Sequence, residues 1–265
     1  MVQDVGGRGN ASLLPADPRI CVLERCSSMS ETIPPPPWQR VPQRPGRSRR
    51  DPITREGIVA AALRILDAEG LDGLSMRRVA EELDTGAASL YWHVGSKDGL
   101  LDLLLDEVIG EQTIPDPEPE RWQEQIKEVA REQRAITLRH RDIVRMSIGR
   151  VPMGPNAIQY SERVLAIMRA GGLPDKYAVL GHHLLIAIVN GYTLDETQEG
   201  GEPPPDQPSP DEMGRLVRDY ITALPVDRFP NLVALADQFT IADPDERFEV
   251  LIDLFVDGLA RRAKA

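Results

Sequence analysis

The chain has 265 residues, 41% hydrophobic and 28% charged, proportions ordinary for a globular protein with one large or two small cores. No uninterrupted run approaches the ~18 apolar residues of a membrane span, and Asp4, Arg8, Asp17, Arg19 and Glu24 break any signal-peptide core. A cytoplasmic protein without membrane contact is expected, with a net charge of −11 that does not by itself favour a polyanionic partner.

Residues 1–46 contain Pro34 to Pro37 in a row, further prolines at 42 and 45, and no apolar periodicity. They read as an extension without a fold of its own, and they also fit translation starting at Met29. Cys21 and Cys26 fall short of the about four ligands of a zinc site, so free thiols, no metal and no cofactor are expected. Residues 38–50 hold Arg40, Arg44, Arg47, Arg49 and Arg50 and no acid.

A first helix runs from Thr54, a natural N-cap, to Gly70, a natural stop, with Ile58, Ala62, Ile65 and Leu66 on one face. Ser75 caps a second helix whose Val79, Ala80 and Leu83 face inward. A third spans about Ala87 to Val94. A fourth starts at Ser96 and carries Leu100, Leu101, Leu103, Leu104, Leu105 and Val108. Three prolines between Ile114 and Glu120 exclude a helix there. Helical stretches follow at about 121–140, 156–171 and 175–198, then a proline-rich acidic loop, then 211–223, 230–239 and 244–262. The last places Phe248, Leu251, Ile252, Phe255, Val256 and Leu259 in one stripe, which fits either the core of one subunit or a contact between two. No strand signal competes, so the fold class is all-α. The expected divisions are an extension at 1–50, a first domain at 51–110 and a larger helical domain at 121–262.

The stretch from Ser75 to Lys97 carries the chemistry. A short helix, a tight turn and a second short helix form a helix-turn-helix, which lowers its second helix into the DNA major groove. Residues 38–97 hold ten Lys/Arg against eight Asp/Glu, whereas residues 98–265 hold 18 against 30. The basic footprint needed for phosphates therefore sits at one end. Helix 87–94 would present Ser89, Tyr91 and His93 to the groove, with Leu90 and Val94 held in the core. Trp92 either touches DNA or packs between helices, and Arg78 reads equally as a solvated face. Asp84 in the turn tolerates a left-handed backbone better than most residues.

Residues 54–109 resemble the DNA-binding domain of the tetracycline repressor (TetR) family. The resemblance rests on Ile58-Val-Ala-Ala-Ala-Leu63, Glu69-Gly70, Gly73-Leu-Ser-Met-Arg-Arg-Val-Ala-Glu-Glu-Leu83, Leu90-Tyr-Trp-His-Val94, and Lys97 followed by Leu100-Leu101. It implies groove and backbone contacts from Tyr91, Trp92, His93 and Lys97, and an Arg77 that reaches a guanine edge or a phosphate. Lys97, at a helix start, suits phosphate. Ser75, Ala87 and Ala88 complete the assigned surface. Relatives often carry polar reading residues at the two alanine positions, so base reading here is expected to be sparse, although alanine can touch a thymine methyl. Arg47, Arg49 and Arg50, with Arg40 and Arg44, form either a minor-groove arm or a solvated linker.

The resemblance further implies a homodimer on a near-palindromic double-stranded operator, released when a small molecule binds the larger domain. Helices 175–198 and 244–262 are the candidates for the dimer contact. A regulator or activator without such an effector remains an alternative. Polar residues on otherwise apolar helices are the pocket candidates: Gln133, Arg134, Arg145, Tyr160, His182, His183, Asn190 and Glu196. Each also fits a satisfied buried group or a surface position. His182 and His183 point about 100° apart and cannot share one cavity. Ser147 stands where tetracycline repressors carry a metal-binding histidine, and Val129 and Gln133 replace their asparagine and phenylalanine, so a magnesium–tetracycline effector is not expected. No nucleophile elbow, phosphate-binding glycine loop or zinc-protease pair is present, which argues against an enzyme.

Overall fold

The computed structural model describes residues 53–199, 208–240 and 243–263. Every regular element among them is helical, as the sequence predicts. In chain order they are α1 (Arg55–Gly73), α2 (Met76–Glu82), α3 (Ala87–Val94), α4 (Lys97–Gly110), a 3-10 turn (Pro119–Arg121), α5 (Trp122–Arg139), α6 (Ile143–Ser147), α7 (Pro155–Ala170), α8 (Asp175–Glu199), α9 (Pro210–Thr222), α10 (Pro230–Ala234), a second 3-10 turn (Ala236–Thr240) and α11 (Pro244–Ala263).

The caps expected at Thr54 and Ser75 form, and Ser96 caps α4 in the same way. Their hydroxyls accept the amides of Gly57, Arg78 and Gly99 at 3.0, 3.1 and 3.0 Å, each satisfying one of the donors a helix start leaves open. Gly70 breaks α1 with φ 76° and ψ 179°, but one further turn follows before Leu74. Beyond Arg139 the chain turns at His140–Asp142, with Asp142 in the left-handed region at φ 58°. A short helix, α6, follows that periodicity did not reveal. The stretch expected at 230–239 divides into α10 and a 3-10 turn.

Two apolar cores result. One gathers Ile58, Ala62 and Leu66 of α1, Val79 of α2, Leu90 of α3 and Leu100 and Leu104 of α4, and is closed from the other side by Ile136, Ile143 and Met146. The other is formed by α5, α7, α8 and α11, with Ile126, Val164, Ile167, Leu185, Val189 and Phe248 fully buried. The stripe on α11 is thereby resolved: Phe248, Ile252, Val256 and Leu259 belong to the core of one chain, whereas Val250 and Leu254 remain exposed.

α8 is long and apolar enough to cross a membrane, with 23 residues from Asp175 to Thr197 at mean hydropathy 1.2. His182, His183, Asn190 and Tyr192 interrupt the run without lowering its average below that level, so counting consecutive apolar residues misses it. One face of α8 enters the core through Ala178, Leu185 and Val189, while Val179, Leu180 and Leu184 stay exposed.

A corner ties the small core to the large domain. Asp142 accepts the Leu71 amide at 2.9 Å, a bond to a charged acceptor worth ~1.5–3 kcal/mol. A Cβ on Gly70 would lie 2.8 Å from the same carboxylate, so glycine serves both the positive φ and the close approach. Around it, the His140 ring lies between Asp67 (3.2 Å) and Glu111 (2.9 Å), and Arg150 reaches Asp98 and Asp102. Asp106 of α4, buried, accepts the Ala157 amide of α7 at 2.9 Å. Burial raises its carboxyl above the usual range, against the pull of the Ala157 and Asn156 amides.

Candidate nucleic-acid interface and buried polar site

The turn between α2 and α3 closes through the Thr85 amide, which donates to the Ala80 carbonyl at 2.9 Å. Asp84 within it takes φ 48°, the left-handed conformation that its short polar side chain tolerates. Eight residues are too few for a stable isolated helix, so α3 depends on its anchors. Leu90 is wholly buried and Val94 nearly so.

Everything else large on α3 points out. Tyr91 is 47% and Trp92 57% exposed, and Ala88 and His93 are exposed beside them, with Ala87 and Ser89 half-buried. The packing alternative for Trp92 is therefore not the one adopted. The two adjacent aromatic rings thus leave an apolar patch open to solvent. Lys97 begins α4 and is exposed. Ser75 is exposed and uses its hydroxyl oxygen as the α2 cap.

The neighbouring arginines divide by role. Arg77 has an 88% exposed side chain whose partner is Glu81, one turn on, at 2.9 Å; such a pair is weak and exchanges readily for another anion. Arg78 joins Glu69 of α1 to Glu82 of α2 at 2.8 and 3.1 Å, a tie between two helices rather than a solvated face. Arg40, Arg44, Arg47, Arg49 and Arg50 lie outside the described residues.

The second cluster is internal. Tyr160 of α7 donates its hydroxyl to Gln133 Oε1 of α5 at 3.1 Å, and Gln133 Nε2 donates to Asn190 Oδ1 of α8 at 3.0 Å. Gln133 and Tyr160 are buried, and burial raises the tyrosine hydroxyl above its usual range. His182, also on α8, sets its ring 6.0 Å from that of Tyr160. Its pKa is lowered, first by burial and then by neighbouring His183.

The next residue of α5, Arg134, grips Glu196 of α8 with two bonds of 2.9 and 2.6 Å and meets Asp245 of α11 at 2.7 Å. Its guanidinium lies 4.8 Å from the Phe248 ring centre. These partners, Glu196 above all, raise its pKa, and the charge is matched within the domain.

Of the eight pocket candidates, Gln133, Tyr160, Asn190 and His182 gather in one place, with the Arg134–Glu196 pair beside them. Two do not belong. Arg145 lies past the His140–Asp142 corner, half-exposed, and pairs with Asp72 of the small unit at 3.4 Å. His183 points outward on α8, as its angle from His182 requires. Thr137 and Thr193, whose hydroxyls lie 3.4 Å apart beside the cluster, were not among the candidates. Thr137 follows Gln133 by four residues on the same face, the spacing that would have found it.

Residues 58–104 match the bacterial regulatory proteins of the tetR family, and residues 114–263 match the tetracyclin repressor-like C-terminal domain. The HTH-type transcriptional repressor DrrR1 of Streptomyces coeruleorubidus is 40% identical over 153 residues, which cover 57% of this chain and 55% of that protein. The chain thus spans little more than half the length of that curated relative. Apo ActR from Streptomyces coelicolor superposes with a TM-score of 0.74 at 45% identity, covering 81% of this chain and 98% of its own. The same regulator solved in complex with actinorhodin gives a TM-score of 0.74 at 45% identity, covering 81% and 100%.

Proposed function

The chain belongs to the tetracycline-repressor (TetR) family of DNA-binding bacterial regulators, and from that premise we propose that it is a homodimeric repressor which a small molecule releases from a near-palindromic operator. It is a regulator and not an enzyme. In the proposed complex α3 of each subunit enters the major groove. Tyr91, Trp92 and His93 meet the groove wall and backbone, Lys97 and Ser75 face phosphate, and Arg77 leaves Glu81 for a guanine edge or phosphate. Ala87, Ala88 and Ser89 offer little direct base reading, so DNA shape would supply part of the selectivity.

The dimer contact proposed is the apolar face left on α8 and α11. Val179, Leu180, Leu184, Val250 and Leu254 are each between 43% and 69% exposed, and the two helices pack side by side within one chain. A second copy would cover them in a four-helix bundle and space the two α3 helices by a helical turn of DNA, roughly 34–36 Å, or a multiple of it.

One observation carries the switch. α5 holds Gln133 and Arg134 at the buried polar cluster, and its end at Arg139 leads straight into the corner where Asp142 holds Leu71 of the DNA-reading unit. A molecule that displaces α5 thus acts on the unit that reads DNA, and by linkage DNA and effector oppose each other's binding. The likeness to a regulator solved with actinorhodin supports a polycyclic aromatic effector.

A mobility shift tests this reading. The full chain is titrated onto the DNA flanking its own gene, with and without hydroxylated polycyclic aromatic compounds. Retardation that one compound reverses supports it; retardation indifferent to every compound favours a regulator without an effector.

A further inference from the structure

His182 differs from its neighbours in having nothing to bond. It is only 9% exposed, and its Nε2 is sealed from solvent without a hydrogen-bond partner. In the cluster beside it Gln133 and Tyr160 are satisfied. A buried polar atom left unbonded destabilises the protein that carries it. Gln133 and Thr137 on α5, Tyr160 on α7, and Asn190 and Thr193 on α8 line the cluster and are uncharged, and the ring of His183 lies 5.5 Å from that of His182. Beside the cluster Arg134 is paired with Glu196 and Asp245, and Arg247 lies over the Tyr192 ring. Burial keeps the imidazole itself neutral, so a charged ligand group would find no counter-ion here.

We infer that His182 Nε2 is the recognition point for an uncharged hydroxyl group at one end of a flat, mainly apolar effector. The far edge of that effector reaches the Gln133 and Asn190 amides. Eight residues separate His182 from Asn190, about 12 Å along α8, a span suited to a fused-ring system with a polar group at each end. Tyr160 and His182, tilted by 51° to one another, supply ring faces and edges between those ends. The inference rests on the proposed effector site and narrows it to one atom and one ligand chemistry.

The test uses the full chain and two probes, 9,10-anthraquinone and its 2-hydroxymethyl derivative, with binding followed by calorimetry. Wild type is expected to prefer the hydroxymethyl compound by about tenfold or more. His182→Phe, which keeps a ring and loses the nitrogen, should erase that preference. His182→Gln, which keeps a polar atom near Nε2, should retain most of it. Without any probe, His182→Phe should melt about 2–4 °C higher than wild type, because an unanswered polar atom has been removed. A preference that survives in His182→Phe, an equal loss for both probes, or a lower melting temperature for the unliganded variant would each overturn the inference. So would a wild type that binds neither probe. In that last case the broader effector reading is judged separately, by whether any other compound reverses the mobility shift.

Discussion

The two units of this protein place their polar chemistry on opposite sides of their cores. In the DNA-reading unit the core is apolar, closed by Leu90, Ile58, Leu66 and Leu104, and the functional side chains stand outside it. In the larger domain Gln133, Tyr160, Thr193 and His182 lie within the core. A surface that meets a polyanion must stay hydrated until contact, whereas a site selective for a small apolar molecule gains from excluding water. The same stability scale therefore separates them: substitutions at functional positions should leave the stability of the first unit nearly unchanged and shift that of the second.

That contrast is open to breaking, most severely at Leu90. Leu90→Ala removes the buried anchor of α3 and should cost about 2–5 kcal/mol in urea denaturation, with DNA binding lost. A cost near zero would mean that α3 is not held by the core. Gln133→Leu should cost about 1–3 kcal/mol, because the Tyr160 hydroxyl and the Asn190 carbonyl oxygen lose their partner. DNA affinity of the folded variant should be nearly unchanged. Asp142→Ala removes the charged acceptor for the Leu71 amide and should cost about 1.5–3 kcal/mol. Its sharper signature is a mobility shift that persists at effector concentrations sufficient to release wild type.

Acid gives a smaller effect with a definite sign. The folded pKa of His182 lies below its ordinary value of 6.5, so the unfolded chain binds the extra proton first. Its contribution to stability is intact above 6.5 and declines as pH falls through 6.5 toward the lowered folded value. His182→Phe should flatten that part of the stability profile. Smallest of all on stability are Tyr91→Ala and Trp92→Ala, expected within about 0.5 kcal/mol of wild type. Both should weaken DNA binding markedly, and Lys97→Ala should lower the salt slope of binding by about 1.

The two units also differ in how far their sequences disclose them. The caps at Thr54 and Ser75 and the anchors Leu90 and Val94 all act within a few residues of themselves, so local sequence reveals them. The buried cluster is assembled from α5, α7 and α8, and its Gln133–Asn190 bond joins positions 57 apart. Polar residues on apolar helices pointed to its members without saying which of them meet. Arg145 illustrates the failure: the left-handed turn at Asp142 redirects the chain and carries that arginine onto Asp72 instead. α8 shows another. Its average hydropathy suits a membrane, and only its packing reveals one face in a core and the other bare.

The most direct test of the account is a footprint of the full chain on the intergenic DNA beside its gene, with and without a hydroxylated polycyclic aromatic compound. Two protected half-sites separated by a helical turn or a multiple of it, both lost when the compound is added, are predicted. Absence of any protected DNA, or protection unchanged by every such compound that binds the protein, would contradict it.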